Sequence, residues 1–211
     1  MSGHVVIAIS LALTGLALGW PQRRVIARFV RGSAPSTLAA GGLTALLFLL
    51  LDARVHAGFV LCALCALAAV AVPLAFVDAA EQRLPNVLTS TAYAVIMAGL
   101  LLAGAAAGHW HQVCRAALGG LALAGFYLLL AMISPAGMGL GDVKLAASMG
   151  TALAWVSWRS LELGGFAGFF LLALYSAMMM TAGRLGRKQN VPAGPFMIAG
   201  TFLLLLLPRP A

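Results

Sequence analysis

From Ala57 to Val77 the chain carries no charged residue, and apolar runs of similar length recur along most of its 211 residues. One helical crossing of a bilayer needs about 20 mostly apolar residues. A soluble domain carries roughly a quarter charged residues, and here the share is 9%, against 63% hydrophobic. So apolar a chain has too little polar surface to face water, and the expected architecture is all-α: a polytopic membrane bundle of about eight transmembrane helices, forming one membrane-embedded domain over 1–211. The expected spans are 4–20, 36–51, 57–77, 87–108, 113–134, 143–158, 163–182 and 193–207. A basic loop, PQRRVIARFVRGSAP, joins the first two. No Lys or Arg precedes the first run, the reverse of the order in a cleavable signal, so that run is expected to be retained.

The net charge of +8 does not imply a nucleic-acid partner. The basic residues lie between the apolar runs, where they orient spans and meet anionic headgroups. With eight spans, nine of the thirteen Lys and Arg fall on one side: Arg23, Arg24, Arg28, Arg31, Arg83, Lys144, Arg184, Arg187 and Lys188. Arg54, Arg115, Arg159 and Arg209 fall on the other. The first set is therefore expected in the cytoplasm, with both termini outside and the lipid bilayer as the chain's constant partner.

Only five residues are acidic: Asp52, Asp78, Glu81, Asp142 and Glu162. A carboxylate at the edge of hydrocarbon is costly and marks function. Asp52 and Glu162 are expected in short outer loops. Asp78 follows the apolar LAFV, and Pro85 should end its helix at Leu84, leaving Asn86 to cap the next one. Asp142 closes GMGLGD and opens VKLAASMG, where it could equally serve as a helix cap. Gly137, Gly139 and Gly141 allow close backbone approach, which a protease needs when an extended substrate lies against its carboxylate. The topology puts both aspartates on one side. Two such carboxylates sharing a proton can activate water and protonate a leaving amine. Lys144, just past Asp142, could reach lipid phosphate or substrate. A proton-coupled transporter would also hold membrane carboxylates, but nearer the midplane and in repeats.

Cys62 and Cys65 form a CxxC inside an apolar run, and Cys114 stands apart. Structural zinc wants four ligands, so the pair reads as two small residues on one helix face. His4, His56, His109 and His111 all fall at outer ends. No metal and no cofactor is expected.

FVDAAEQRLPN and GMGLGDVKLAASMG together resemble the two aspartate segments of the type IV prepilin peptidase family, the prepilin leader peptidases, which are GxGD-type membrane aspartic proteases. VPAGPFMIAG is similar to that family's late Pro-x-Gly-Pro segment, and GLALGWPQRRVIARF echoes its first span. The resemblance implies an eight-span aspartic endopeptidase of the inner, cytoplasmic membrane. It implies Asp78 and Asp142 as the catalytic pair, and Gly139, Gly141 and Lys144 as motif residues that contact substrate. Such enzymes remove short basic leaders, after a Gly, from type IV prepilins or secretion pseudopilins at the cytoplasmic face. Many members also hold two CxxC pairs in a cytoplasmic insert linked to N-methylation. The loop from Pro21 to Pro35 has no Cys, so this is expected to be a short form without that domain and with little or no methyltransferase activity. A presenilin-like protease of other membrane substrates shares GxGD but places its first Asp in a different motif.

Overall fold

The computed structural model describes residues 2–55, 58–133, 138–182 and 191–207. Over these the chain forms eight helices: α1 (Ser2–Phe29), α2 (Thr37–Asp52), α3 (Gly58–Glu81), α4 (Asn86–Ala107), α5 (Trp110–Ile133), α6 (Leu140–Val156), α7 (Trp158–Thr181) and α8 (Gly194–Leu206). Five of them, α1, α3, α4, α5 and α7, are long and apolar enough to cross a bilayer, while α2 and α8 are shorter apolar helices. Leu13, Leu102, Leu121, Phe166 and many other large apolar side chains are exposed on the outside. That surface is stable only against lipid, and the protein is a multi-pass membrane bundle.

The helices pair in sequence order, α1 with α2, α3 with α4, α5 with α6 and α7 with α8. Short connections force neighbours to run antiparallel. The central element is α3, which packs on α1, α2, α4 and α8, while α6 packs on α4, α5, α7 and α8. Leu67, Ala68, Ala71 and Leu74 of α3 and Leu145, Ala146, Met149 and Leu153 of α6 are almost wholly buried. Small residues bring the backbones close, as expected where no water drives helices together. Gly119 and Gly120 of α5 lie directly against Gly150, Thr151 and Ala154 of α6. Arg115 of α5 then closes α6, its guanidinium donating to the carbonyls of Ala154, Trp155 and Val156. Those carbonyls have no partner within their own helix, and a cation there also meets the negative end of the dipole.

Several expected boundaries move. The basic stretch from Pro21 is not a loop: α1 continues through Pro21 to Phe29. Its 28 residues span about 42 Å, so the last turns reach beyond hydrocarbon. They stay helical because Gln22 and Ile26 are buried against the bundle while Arg23, Arg24 and Arg28 face out. Arg24 lies over the Trp20 ring at 3.7 Å. Glu162 and Asp52 are not in loops either. Glu162 is an exposed residue of α7, and Asp52 is the last residue of α2. Asn86 does not cap α4. Pro85 occupies the cap position with extended backbone, and Asn86 is the first helical residue.

Candidate active site

Asp78 sits in the last turn of α3, where the Gln82 N–H donates to the Asp78 carbonyl at 2.8 Å. The helix then stops because Gln82 adopts a left-handed φ of 51°, a conformation uncommon outside glycine. The chain turns through Arg83 and Leu84 into Pro85, and α4 begins. Near its own helix C-terminus a carboxylate is disfavoured by the dipole. The structure supplies the compensation from another helix. Asp78 is 4% exposed, and its Oδ2 accepts the backbone N–H of Gly194, the first residue of α8, at 2.9 Å. The opening N–H groups of a helix have no internal partner and favour an anion.

Asp142 is treated in the same way within its own helix. It is the third residue of α6, and its Oδ2 accepts the N–H of Gly139, the N-cap residue, at 3.0 Å. Asp142 is half-buried. The two carboxylates are electrostatic neighbours, and Tyr127 of α5, stacked on Phe169 of α7, also lies within the field of Asp142. Each carboxylate thus has one oxygen held by a backbone donor at the N-terminal end of a helix.

The two aspartate segments also touch directly. A Cβ placed on Gly141 would come within 2.8 Å of the Leu84 Cβ and 3.3 Å of its carbonyl oxygen. The absence of a side chain at 141 therefore lets the chain's own Leu84 approach, a tighter explanation for this glycine than an approaching substrate. Gly139 is different. Among the described residues, the nearest neighbours to an added Cβ are Asp142 Oδ2 at 3.5 Å and the Gly141 nitrogen at 3.8 Å, so none of these residues fills the space beside it. Gly137 lies outside the described residues. Lys144 is exposed, and its Nζ donates to Asn86 Oδ1 at 2.8 Å, tying the start of α6 to the start of α4.

Gly194 is the site residue that sequence reasoning did not single out. An added Cβ there would lie 2.8 Å from Asp78 Oδ2 and 3.2 Å from its Cγ. Its only signal was the Gly within VPAGPF, and nothing local says which helix start meets which carboxylate. Cys62, Cys65 and Cys114 are free thiols, the first two within α3. His4, His109 and His111 are exposed, and His56 falls outside the described residues. Among the described residues no cluster of His, Cys, Asp and Glu could hold a metal ion.

No solved structure matches the chain. Over 87 residues it is 37% identical to the prepilin leader peptidase/N-methyltransferase of Bacillus subtilis (strain 168), covering 40% of this chain and 34% of that protein. Over 167 residues it is 30% identical to the protein of the same name from Aeromonas salmonicida (strain A449), covering 77% of this chain and 55% of that protein. The chain therefore spans between about a third and about half of the curated relatives it matches. Residues 62–183, more than half of the chain and including both Asp78 and Asp142, match the model of one family, and the chain belongs to it: the type IV leader peptidase family.

Proposed function

We propose that this protein is a membrane aspartic endopeptidase that removes the leader from type IV prepilins or pseudopilins at the cytoplasmic face of the inner membrane. The observation that carries the reading is the pair of carboxylates brought to one end of the bundle, where Leu84 after Asp78 meets Gly141 beside Asp142, each carboxylate anchored through one oxygen by a backbone N–H.

In this reading the pair holds one proton between its members, because two close carboxylates do not both ionise readily. The ionised member accepts a proton from water as that water attacks the scissile carbonyl carbon. The protonated member donates to the carbonyl oxygen. When the tetrahedral intermediate collapses, a proton passes to the departing amine and the C–N bond breaks. Anchoring one oxygen of each carboxylate leaves the other free for this exchange and fixes its direction. The open space at Gly139 is where substrate backbone passes. Gly141 and Lys144 hold the two aspartate segments together, and the exposed Lys144 stays within reach of substrate. A transporter would be expected to place its carboxylates near the midplane, whereas these lie in the last turn of α3 and the first turn of α6.

Arg23, Arg24, Arg28 and Arg31 lie in or just after the last turns of α1, and that end meets the aspartate-bearing end of α3 through the Arg31 N–H on Glu81 Oε1 and Arg83 at the Phe29 carbonyl, which supports a cytoplasmic site. Single cysteines introduced at the exposed positions 31 and 83 should label only from the cytoplasmic side in a chain stripped of its own Cys. Labelling of position 83 from outside would put Asp78 on the wrong face. For activity, co-expression with a type IV prepilin should convert the precursor to a shorter form on a gel. Unprocessed precursor beside well-expressed enzyme would sink the reading.

A further inference from the structure

Pro73 lies inside α3, five residues before Asp78. A proline has no N–H, so it removes the bond that residue 73 would give to the carbonyl of residue 69 and loosens the helix there. In hydrocarbon an unpaired carbonyl is costly. The Ala69 carbonyl is nevertheless satisfied, because the side-chain amide of Gln22 donates to it from α1 at 2.9 Å. Gln22 is 5% exposed and is held in turn by Thr44 of α2. Its Nε2 lies 2.9 Å from Thr44 Oγ1, and the hydroxyl lies 2.9 Å from the Ala40 carbonyl and 3.1 Å from Gln22 Oε1.

The contact continues toward the carboxylate. Ile26 of α1 and Ala40 of α2 pack in one buried cluster with Val72 and Val77 of α3, the last adjacent to Asp78. Beyond the helix ends, the Arg31 N–H donates to Glu81 Oε1 at 2.7 Å, and Arg83 Nη2 lies 3.5 Å from the Phe29 carbonyl. The stretch of α3 after its proline is thus splinted along its length by the half of α1 that follows Pro21. We propose that Gln22 is a positioning residue for Asp78: its side-chain amide replaces the backbone bond that Pro73 removes, and so holds the segment of α3 that carries the carboxylate. The inference rests on the peptidase reading for its effect on turnover, but not for its effect on α3.

Proline and glutamine can be tested against each other. Gln22→Met keeps the length of the side chain and loses the donor. It should lower kcat for leader cleavage about tenfold, the effect of leaving a buried acceptor unpaired, with KM unchanged. It should also speed amide hydrogen exchange from Leu74 to Glu81. Gln22→Asn, one methylene shorter, should do the same. In a Pro73→Ala background the helix supplies its own N–H to Ala69. There, Gln22→Met should have little effect on either readout, a non-additivity that simple loss of packing would not produce. The proposal is overturned if Gln22→Met lowers kcat by the same factor in both backgrounds, or if exchange across 74–81 is unchanged. A wild-type chain that cleaves nothing would refute the peptidase reading alone, and the exchange measurement would still decide the role of Gln22.

Discussion

Asp78→Asn and Asp142→Asn should each lower leader cleavage by at least about 100-fold, the scale of a lost general acid or base. Both variants should insert and remain folded. An asparagine at 78 can still accept from Gly194 through its amide oxygen, and one at 142 can still accept from Gly139, so the two anchoring bonds at 2.9 and 3.0 Å survive. What is lost is the ability to take and return a proton. Asp52→Asn and Glu162→Gln are the matched controls, since these residues sit at the end of α2 and on the exposed face of α7. They should cleave at close to the wild-type rate. Initial rates on a detergent-solubilised prepilin, with melting followed in parallel, check the set. Near-normal cleavage by either Asp→Asn variant would remove that residue from the chemistry.

The second large effect is expected at a residue with no reactive group. Gly194→Ala puts a methyl 2.8 Å from Asp78 Oδ2, 3.2 Å from its Cγ and 3.4 Å from its Cβ. Real carbons do not approach so closely, so either α8 retreats or the Asp78 carboxylate swings away from its donor. Overpacking of this kind costs about 1–3 kcal/mol. Here the strain falls on a carboxylate proposed to carry the chemistry, so activity should drop about tenfold or more. Gly139→Ala is the comparison. Among the described residues its added methyl meets nothing nearer than 3.5 Å, its backbone is extended with φ −85° and ψ 154°, and its N–H still reaches Asp142. It should melt like the wild type but cleave more slowly, because the methyl stands where substrate backbone is proposed to pass. Wild-type cleavage by Gly139→Ala would mean that substrate does not lie there. Equal activity of Gly194→Ala and wild type would show that the Gly194–Asp78 bond is dispensable.

The sequence made some of this legible and not the rest, for physical reasons. Apolar run length gave the bundle because a bilayer demands about 20 such residues per crossing, and all eight expected spans correspond to helices. The two aspartates stood out because charges are so scarce at the ends of those runs. Pro85 marked the turn after Asp78, since the residue before a proline avoids helix. In contrast, Pro21 followed by QRR looked like the start of a loop. Local composition could not show that Gln22 and Ile26 face α2 and α3 while the arginines face away. The same limit hid Gly194, which is 116 residues from Asp78 in the chain. It also hid the partner of Lys144, whose bond to Asn86 joins two motifs 58 residues apart. Gly141 was recognised as a place of close approach, but only the fold shows that Leu84 fills the space.

The proposed chemistry is one bond cut by one pair of carboxylates. Its most direct measurement is mass spectrometry of a prepilin incubated with the purified chain in lipid vesicles, beside the Asp78→Asn and Asp142→Asn variants. With the wild-type chain, a single new N-terminus and the matching free leader should appear, at a site following a Gly. Chelator should not slow the reaction, and neither variant should yield either product. Intact prepilin with the wild-type chain, or the same two products from a variant lacking one of the carboxylates, would contradict it.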